Sequence, residues 1–173
     1  MVNLMLENMD GLIQLSLGSN RFNGTVSESL SGLSKLRLLD VTANSFIGTL
    51  TEHHFANLTN LLYMDLSCNS LQLNVTKDWV PSFHADTILM CSYTISPDFL
   101  AWLKTQTLLA CLYPSNARIF GNVPTWFWNL LSNSLALLNL SHNNLTGILP
   151  TFRNSVLEVI DLCGPHSLIR SHC

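Results

Sequence analysis

One phrase of apolar residues, asparagine and glycine recurs along this 173-residue chain at a spacing of about 24 residues. Its pattern is LxxLxLxxNxLxG, and four copies follow it with few exceptions; their asparagines are Asn20, Asn44, Asn69 and Asn143. A copy of this length cannot bury its own leucines. The chain is therefore expected to fold only by stacking each copy on the one before it, so that the core forms between neighbouring copies.

The apolar spacing continues through residues 72–134, although the asparagine is lost there. Ile88 and Leu112 stand at the central leucine position, while Tyr93 and Ala117 stand where asparagine is expected. A seventh copy begins at Leu157 and breaks off at residue 163. Self-similarity of this period and spelling is the leucine-rich-repeat signature.

This signature predicts an α/β-type repeat solenoid. We expect a right-handed curved coil of about six to seven repeats with a parallel β-sheet on its concave face. The solenoid is predicted to cover residues 1–162, with degenerate repeats at about 72–134, and an irregular tail is predicted at 163–173.

The spacing has a physical cause in each part of the phrase. In the LxL segment, alternate side chains such as those of Leu138 and Leu140 point to the same side of a strand. The asparagine amide is expected to hydrogen-bond the backbone of its own bend and of the next coil. The glycines, for example Gly48 and Gly147, are expected to permit a tight return.

Two residues weaken the middle of the pattern. Pro114 occupies a core-facing strand position, where proline removes a hydrogen bond of the sheet. Ala85 replaces a large leucine and predicts a void in the core. We therefore expect the middle coils to be loosened.

Composition excludes several classes of function. The chain is 47% hydrophobic and 11% charged, with a formal net charge of −3. It has no basic stripe, so no nucleic-acid partner is expected. No run of 18 apolar residues occurs, so no membrane span is expected within the chain.

Several segments resemble a known family. The stretches "LSHNNLTGILP", "NRFNGTV" and "GNVPTWFWNL" are similar to the plant extracytoplasmic repeat LxxLxLxxNxLxGxIP. The stretch "WVPSF…SPDFLAWLKTQ" resembles a segment of plant receptor-like proteins of the pathogen-recognition type. The resemblance runs from about residue 4 to about residue 162.

The resemblance implies a function at the cell surface. It implies a segment of the ligand-binding ectodomain of a plant defence receptor on the extracellular side of the plasma membrane. The expected partner is a protein, peptide or glycan ligand, and a co-receptor kinase is a further expected partner. No kinase motif is found in this chain, so no enzyme activity, catalytic residue or cofactor is expected.

Five N-x-[ST] sequons predict N-glycosylation. They lie at Asn23, Asn57, Asn74, Asn139 and Asn144. The repeat itself places Thr and Ser near asparagine, which is an alternative reason for the pattern. Asn139 is the least favoured acceptor because it falls within a predicted strand.

The five cysteines are predicted to be free, partly buried thiols rather than disulfides. Their number is odd and their spacing does not pair them. Cys163, His166, His172 and Cys173 could be interpreted as zinc ligands, but their ragged spacing is a weak pattern and no metal site is predicted. The tryptophans and their aromatic neighbours are predicted to pack the outer side rather than to form a recognition patch.

The candidate binding surface consists of the non-leucine positions of successive strands. In a solenoid these positions line up on one extended face. Solvated strand residues without a ligand are the alternative interpretation. The predicted ligand-binding residues are Ser16, Asp40, Tyr63, Asp65, Leu89, Tyr113, Asn139 and Asp161.

Two other functions compete with a receptor segment. One is a soluble secreted repeat protein of the glycanase-inhibitor type. The other is a truncated gene product without independent activity, for which uncovered first and last coils would present an association hazard.

Overall fold

Seven short strands form one parallel sheet in the computed structural model, which describes residues 6–92, 94–95, 101–130, 134–151, 156–164 and 168–170. They follow one another in chain order across the sheet. The strands are β1 Gln14–Ser16, β3 Leu38–Asp40, β5 Tyr63–Asp65, β7 Thr87–Leu89, β9 Cys111–Tyr113, β11 Leu137–Asn139 and β13 Val159–Asp161. This arrangement confirms the predicted solenoid and its parallel sheet.

The central leucine position of each coil lies over that of the next coil. Leu15 pairs with Leu39, and Leu39 pairs with Met64. Leu39 and Met64 are each 1% exposed, and Leu112 in β9 is fully buried. The side chains of the LxL segment therefore interlock between coils, which is where the core lies.

Two further parallel sheets pair the return segments, and the sequence did not predict them. One contains β2 Asn23–Thr25, β4 Ser45–Leu50, β6 Ser70–Leu73 and β8 Thr94–Ile95. The other contains β10 Phe120–Asn122, β12 Asn144–Ile148 and β14 Leu168–Arg170. The segment β14 lies within the tail predicted as irregular, so that prediction is wrong for residues 168–170.

The repeated glycines lie in these return strands in a left-handed conformation. Their φ angles are 98° at Gly24, 104° at Gly48, 94° at Gly121 and 129° at Gly147. Residues with a side chain rarely adopt this conformation. The repeated glycine therefore reflects a backbone requirement of the return, as predicted.

We expect Gly48→Ala to lower the free energy of unfolding by about 1 to 2 kcal/mol, since a side chain strains a left-handed backbone. The new Cβ would also lie 3.3 Å from Thr25 Cγ2 of the preceding coil. Chemical denaturation measures the change. Gly32→Ala is the matched control, because Gly32 has open space around it and lacks the positive φ; an equal loss in both variants would contradict the assignment.

Among the described residues, the helical segments of the outer side are short turns. They are α1 Glu52–Phe55, α2 Thr125–Trp128 and two 3-10 helices at Glu28–Gly32 and Ala101–Thr105. No helix in the described ranges has the length and apolar character needed to cross a bilayer.

Aromatic side chains pack this outer side, as predicted. Trp79 contacts Trp102 at 5.4 Å and Phe83 at 6.2 Å between ring centroids, and Phe55 lies 5.7 Å from Trp79. Trp102 is 3% exposed and Phe83 is fully buried. Such tilted and edge-on contacts stabilise the layer between coils.

The repeated asparagine connects its coil to the one before it at Asn44, Asn69 and Asn143. The Asn44 amide donates to the Leu17 carbonyl of the preceding coil at 2.9 Å and to two carbonyls of its own bend. Its Oδ1 accepts the Phe22 N–H at 3.0 Å. The predicted contact with the next coil is thus corrected: the side chain reaches the preceding coil, because the bend lies beside the end of the preceding strand.

The middle coils keep the pairing of the others. Strand β7 pairs with β5 and with β9 over three residues each. Pro114 is buried, and the ladder between β9 and β11 covers only two residue pairs, consistent with the missing N–H. Ala85 is fully buried, and its N–H donates to the buried side chain of Gln106 at 2.9 Å.

Candidate ligand-binding face

The side chains of the seven-stranded sheet that point away from the core form one surface, here called the strand face. Its central column contains seven of the eight predicted ligand-binding residues, one from each strand. Tyr63 lies in the neighbouring column, in register with Leu38 and Thr87. The column is Ser16, Asp40, Asp65, Leu89, Tyr113, Asn139 and Asp161.

The carboxylate and amide side chains of this column also cap the end of their own strand. Asp40 Oδ1 accepts the Thr42 N–H at 2.9 Å, and Asp65 Oδ1 accepts the Ser67 N–H at 2.9 Å. Asn139 makes the same contact with Ser141. These are Asx turns, in which the side chain replaces a backbone acceptor. The sequence signal for this role is an Asp at the strand end that is followed two positions later by Thr or Ser. These residues also fit the repeat pattern, so the signal was not recognised in the sequence.

Burial and charge on the strand face shift several pKa values. The pKa of Tyr63 is raised by burial first and then by the carboxylates of Asp65 and Asp40. Burial likewise raises the pKa of Tyr113. The pKa of Asp161 is lowered by the hydrogen bond from the Cys163 N–H. At neutral pH the face therefore presents the ionised carboxylate of Asp161 and the protonated hydroxyls of Tyr63 and Tyr113.

The cysteines within the described ranges are free thiols, as predicted, but only two of them are partly buried. Cys68 and Cys163 are exposed, and Cys91 and Cys111 are partly buried. No cluster of metal-ligating side chains occurs among the described residues. Of the four residues considered as zinc ligands, His166, His172 and Cys173 lie outside the described residues.

The sequons differ in how they are presented. Asn23, Asn57, Asn74 and Asn144 are exposed. Asn139 is half-buried in β11, where its Oδ1 accepts hydrogen bonds from the backbone N–H and, at 2.6 Å, the hydroxyl of Ser141. Ser141 supplies the hydroxyl of that sequon. The two side chains that a glycosylation acceptor needs are therefore hydrogen-bonded to each other.

A comparison with known protein families identifies the repeat. The family model "Leucine Rich Repeat" matches residues 134–155. This chain is a leucine-rich-repeat protein. The leucine-rich-repeat pairing seen in all seven strands extends well beyond the matched residues.

The similar proteins are plant receptor-like proteins and receptor ectodomains. Receptor-like protein EIX2 of Solanum lycopersicum is 43% identical over 117 residues, which are 66% of this chain and 11% of the relative. Receptor like protein 26 of Arabidopsis thaliana is 31% identical over 156 residues, which are 87% of this chain and 19% of the relative. The chain thus spans between a tenth and a fifth of the length of these relatives.

A solved structure with the same leucine-rich-repeat fold is that of plant peptide hormone receptor RGFR1 in complex with RGF2. It superposes with a TM-score of 0.74 at 26% identity, covering 91% of this chain and 25% of that one. The likeness supports the stacked-coil architecture described above.

Proposed function

We propose that this chain is a ligand-binding segment of the extracellular part of a plant cell-surface receptor that acts in defence signalling. The strand face would bind a protein, peptide or glycan ligand, and a co-receptor kinase would join the complex at the plasma membrane. The observation that carries the proposal is the uninterrupted register of the strand face across all seven strands. Side chains from seven coils are thereby held on one extended surface.

The strand face offers contact groups of the kind found at protein interfaces. Tyr63, Leu89 and Tyr113 are half-exposed and lie within three successive strands. Tyrosine supplies a large apolar area and a hydroxyl at low conformational cost. A linear ligand that crosses these strands would contact all three side chains.

The exposed sequons agree with a secreted parent protein. Asn23 and Asn144 lie in the return strands, and Asn57 and Asn74 lie in the connections. Glycans at these four positions would leave the strand face open. A glycan at Asn139 would instead stand on the strand face itself.

We expect glycosylation at Asn23, Asn57, Asn74 and Asn144 and none at Asn139, after expression in a plant secretory pathway. The Ser141 hydroxyl already donates to the Asn139 Oδ1 within a formed strand. Glycopeptide mass spectrometry with and without deglycosylation measures the occupancy of each sequon. Full occupancy of Asn139 alongside the other four sites would contradict this expectation.

The binding proposal is tested by selecting peptides on the 173-residue chain. The probe is a displayed library of random linear peptides, and each selected peptide is then measured on two variants. Tyr113→Ser removes an aromatic ring from the strand face. Phe120→Ser removes a 57% exposed ring from a return strand and is the matched control.

Selected peptides should bind Tyr113→Ser about tenfold or more weakly, since a central aromatic contact at an interface carries 1 to 2 kcal/mol or more. They should bind Phe120→Ser as they bind the parent chain. Peptides that depend on Phe120 and are indifferent to Tyr113 would overturn the proposal.

A further inference from the structure

A cleft lies between two successive coils on the outer side of the solenoid, away from the strand face. Its walls come from the 3-10 helix Ala101–Thr105, from α2 Thr125–Trp128 and from the residues that follow each of them. The cleft has a volume of about 220 Å³. Since a cavity of about 150 Å³ is large enough to hold benzene, this cleft has room for one six-membered ring with substituents. The lining residues are Lys104, Thr107, Trp126, Asn129, Leu130 and Ser134.

One wall of the cleft is apolar. It consists of the half-exposed indole of Trp126 and the side chain of Leu130, which is 8% exposed. The indole packs edge-on against buried Phe127, with 5.9 Å between the ring centroids, and this contact fixes its position. A flat apolar wall of this kind binds the C–H face of a ring, because the contact removes apolar area from water.

Three neutral polar side chains border the apolar wall. The Ser134 hydroxyl donates to the Leu109 carbonyl at 2.8 Å, so its lone pairs can still accept a hydrogen bond. This bond also ties the two coils together beside the cleft. Thr107 and Asn129 are exposed and offer a hydroxyl and an amide. These groups favour a ligand that carries several hydroxyls over one that is purely apolar.

Lys104 places a positive charge at the cleft. Its Nζ lies 4.9 Å from the centroid of the Trp126 ring, and the cation–π contact holds the ammonium there. No acidic side chain is found among the described residues that line the cleft. Lys104 forms no ion pair with any residue in the described ranges. Its ammonium is therefore available to an anionic group of a ligand.

We propose that this cleft binds one uronic acid residue of an acidic oligosaccharide, which is a six-membered sugar ring that carries a carboxylate. The C–H face of the ring packs on Trp126 and Leu130, and the carboxylate pairs with Lys104. The ring hydroxyls bond with the three neutral polar side chains. An aromatic acid such as hydroxybenzoate has the ring and the carboxylate, but it lacks most of the hydroxyls that these side chains match. The site is separate from the strand face and does not rest on the function proposed for it.

The test measures the affinity of the 173-residue chain for trigalacturonate by ligand-observed NMR titration. The fully methyl-esterified form of the same trisaccharide is the matched control, because it keeps the rings and the hydroxyls and loses the charges. The acid should bind about two- to fivefold more tightly than the ester, as expected for a solvent-exposed ion pair. Added salt should remove this difference. Hydroxybenzoate should bind more weakly than trigalacturonate.

Variants of the chain locate the site. Lys104→Met keeps the apolar stem and removes the charge, so it should weaken trigalacturonate about two- to fivefold and leave the ester unchanged. Asn129→Ala should weaken the acid and the ester alike, because both have the hydroxyls. Lys104 and Asn129 are exposed, so neither substitution disturbs the core. Lys77→Met removes an exposed charge outside the cleft and should leave both affinities unchanged.

Absence of binding to trigalacturonate, or equal affinity for the acid and the ester, would overturn the proposal. An equal effect of Lys77→Met and Lys104→Met would mean that anions are attracted to the chain in general, and it would reject the cleft as the site. Tighter binding of hydroxybenzoate than of trigalacturonate would reject a sugar acid as the ligand. None of these outcomes bears on the strand face, which is tested separately with Tyr113→Ser.

Discussion

Replacing Asn143 with alanine is expected to lower the free energy of unfolding by about 4 kcal/mol, the largest effect of any single substitution considered. The Asn143 amide donates to the carbonyls of Pro114, Leu140 and Ser141 at 2.8 to 3.3 Å. Its Oδ1 accepts the N–H groups of Ala117 and Ile119 at 3.0 and 3.1 Å. Each buried polar group left without a partner costs about 1 to 3 kcal/mol.

The expected loss of stability at Asn143 is large because the preceding coil lacks an asparagine of its own. Ala117 stands at the asparagine position there, and its N–H is satisfied from the following coil by Asn143. The side chain of Asn143 is 5% exposed, so water does not replace the lost contacts.

Denaturant unfolding followed by circular dichroism measures the loss. Asn20→Ala is the matched control, since exposed Asn20 donates, within the described part of the chain, to Leu17 and Gly18 of its own bend. Its expected loss is about 0.5 kcal/mol, as water can hydrate the freed groups. Similar losses for both variants would show that the inter-coil contacts of Asn143 contribute little.

Gln106→Met is expected to cost about 2 to 3 kcal/mol, although methionine has a similar volume and is more apolar. Gln106 is fully buried three residues before the first leucine position of its coil, where two earlier coils have Leu33 and Leu58. Its Oε1 accepts the Ala85 N–H at 2.9 Å, and its Nε2 donates to the Phe83 carbonyl at 3.1 Å. The substitution leaves both backbone groups of the preceding coil buried and unpaired.

The same denaturation experiment tests this expectation, with Gln72→Met as the control. Gln72 is exposed in β6, and surface substitutions of this kind usually change stability by less than about 0.5 kcal/mol. A Gln106→Met variant as stable as the parent chain would mean that packing at this site outweighs hydrogen bonding.

Gln106 also explains why the sheet is not loosened at the middle coils, contrary to the prediction from the sequence. The sequence shows Ala85 as a small residue in a leucine position, which by itself predicts a void. In the structure the backbone at Ala85 is held by Gln106, and Phe83 lies in the aromatic cluster with Trp102. Neither contact is visible in a single repeat, because both join residues about 20 positions apart.

The candidate site, like the fold, was predicted only in part from the sequence. The sequence predicted correctly that the residues of this site line one face of the sheet, since a period of 24 residues and the alternation of a strand fix the register. The capping of their own strands by Asp40, Asp65 and Asn139 was not predicted, although an Asp followed two positions later by Thr or Ser is a sequence signal for it. The ligand-binding role of these residues stays a prediction.

The sequence by itself determined that leucines 24 positions apart stack into a core and that the residues between them line one face, because both follow from periodicity alone. Only the tertiary structure decided which backbone groups each coil satisfies in its neighbour. The asparagine reaches the preceding coil, the return segments pair into two further sheets, and the residue before the asparagine is left-handed, as at Ala43 and Cys68. These features depend on how two coils lie against each other, and the partners of each hydrogen bond exist only once the coils have stacked.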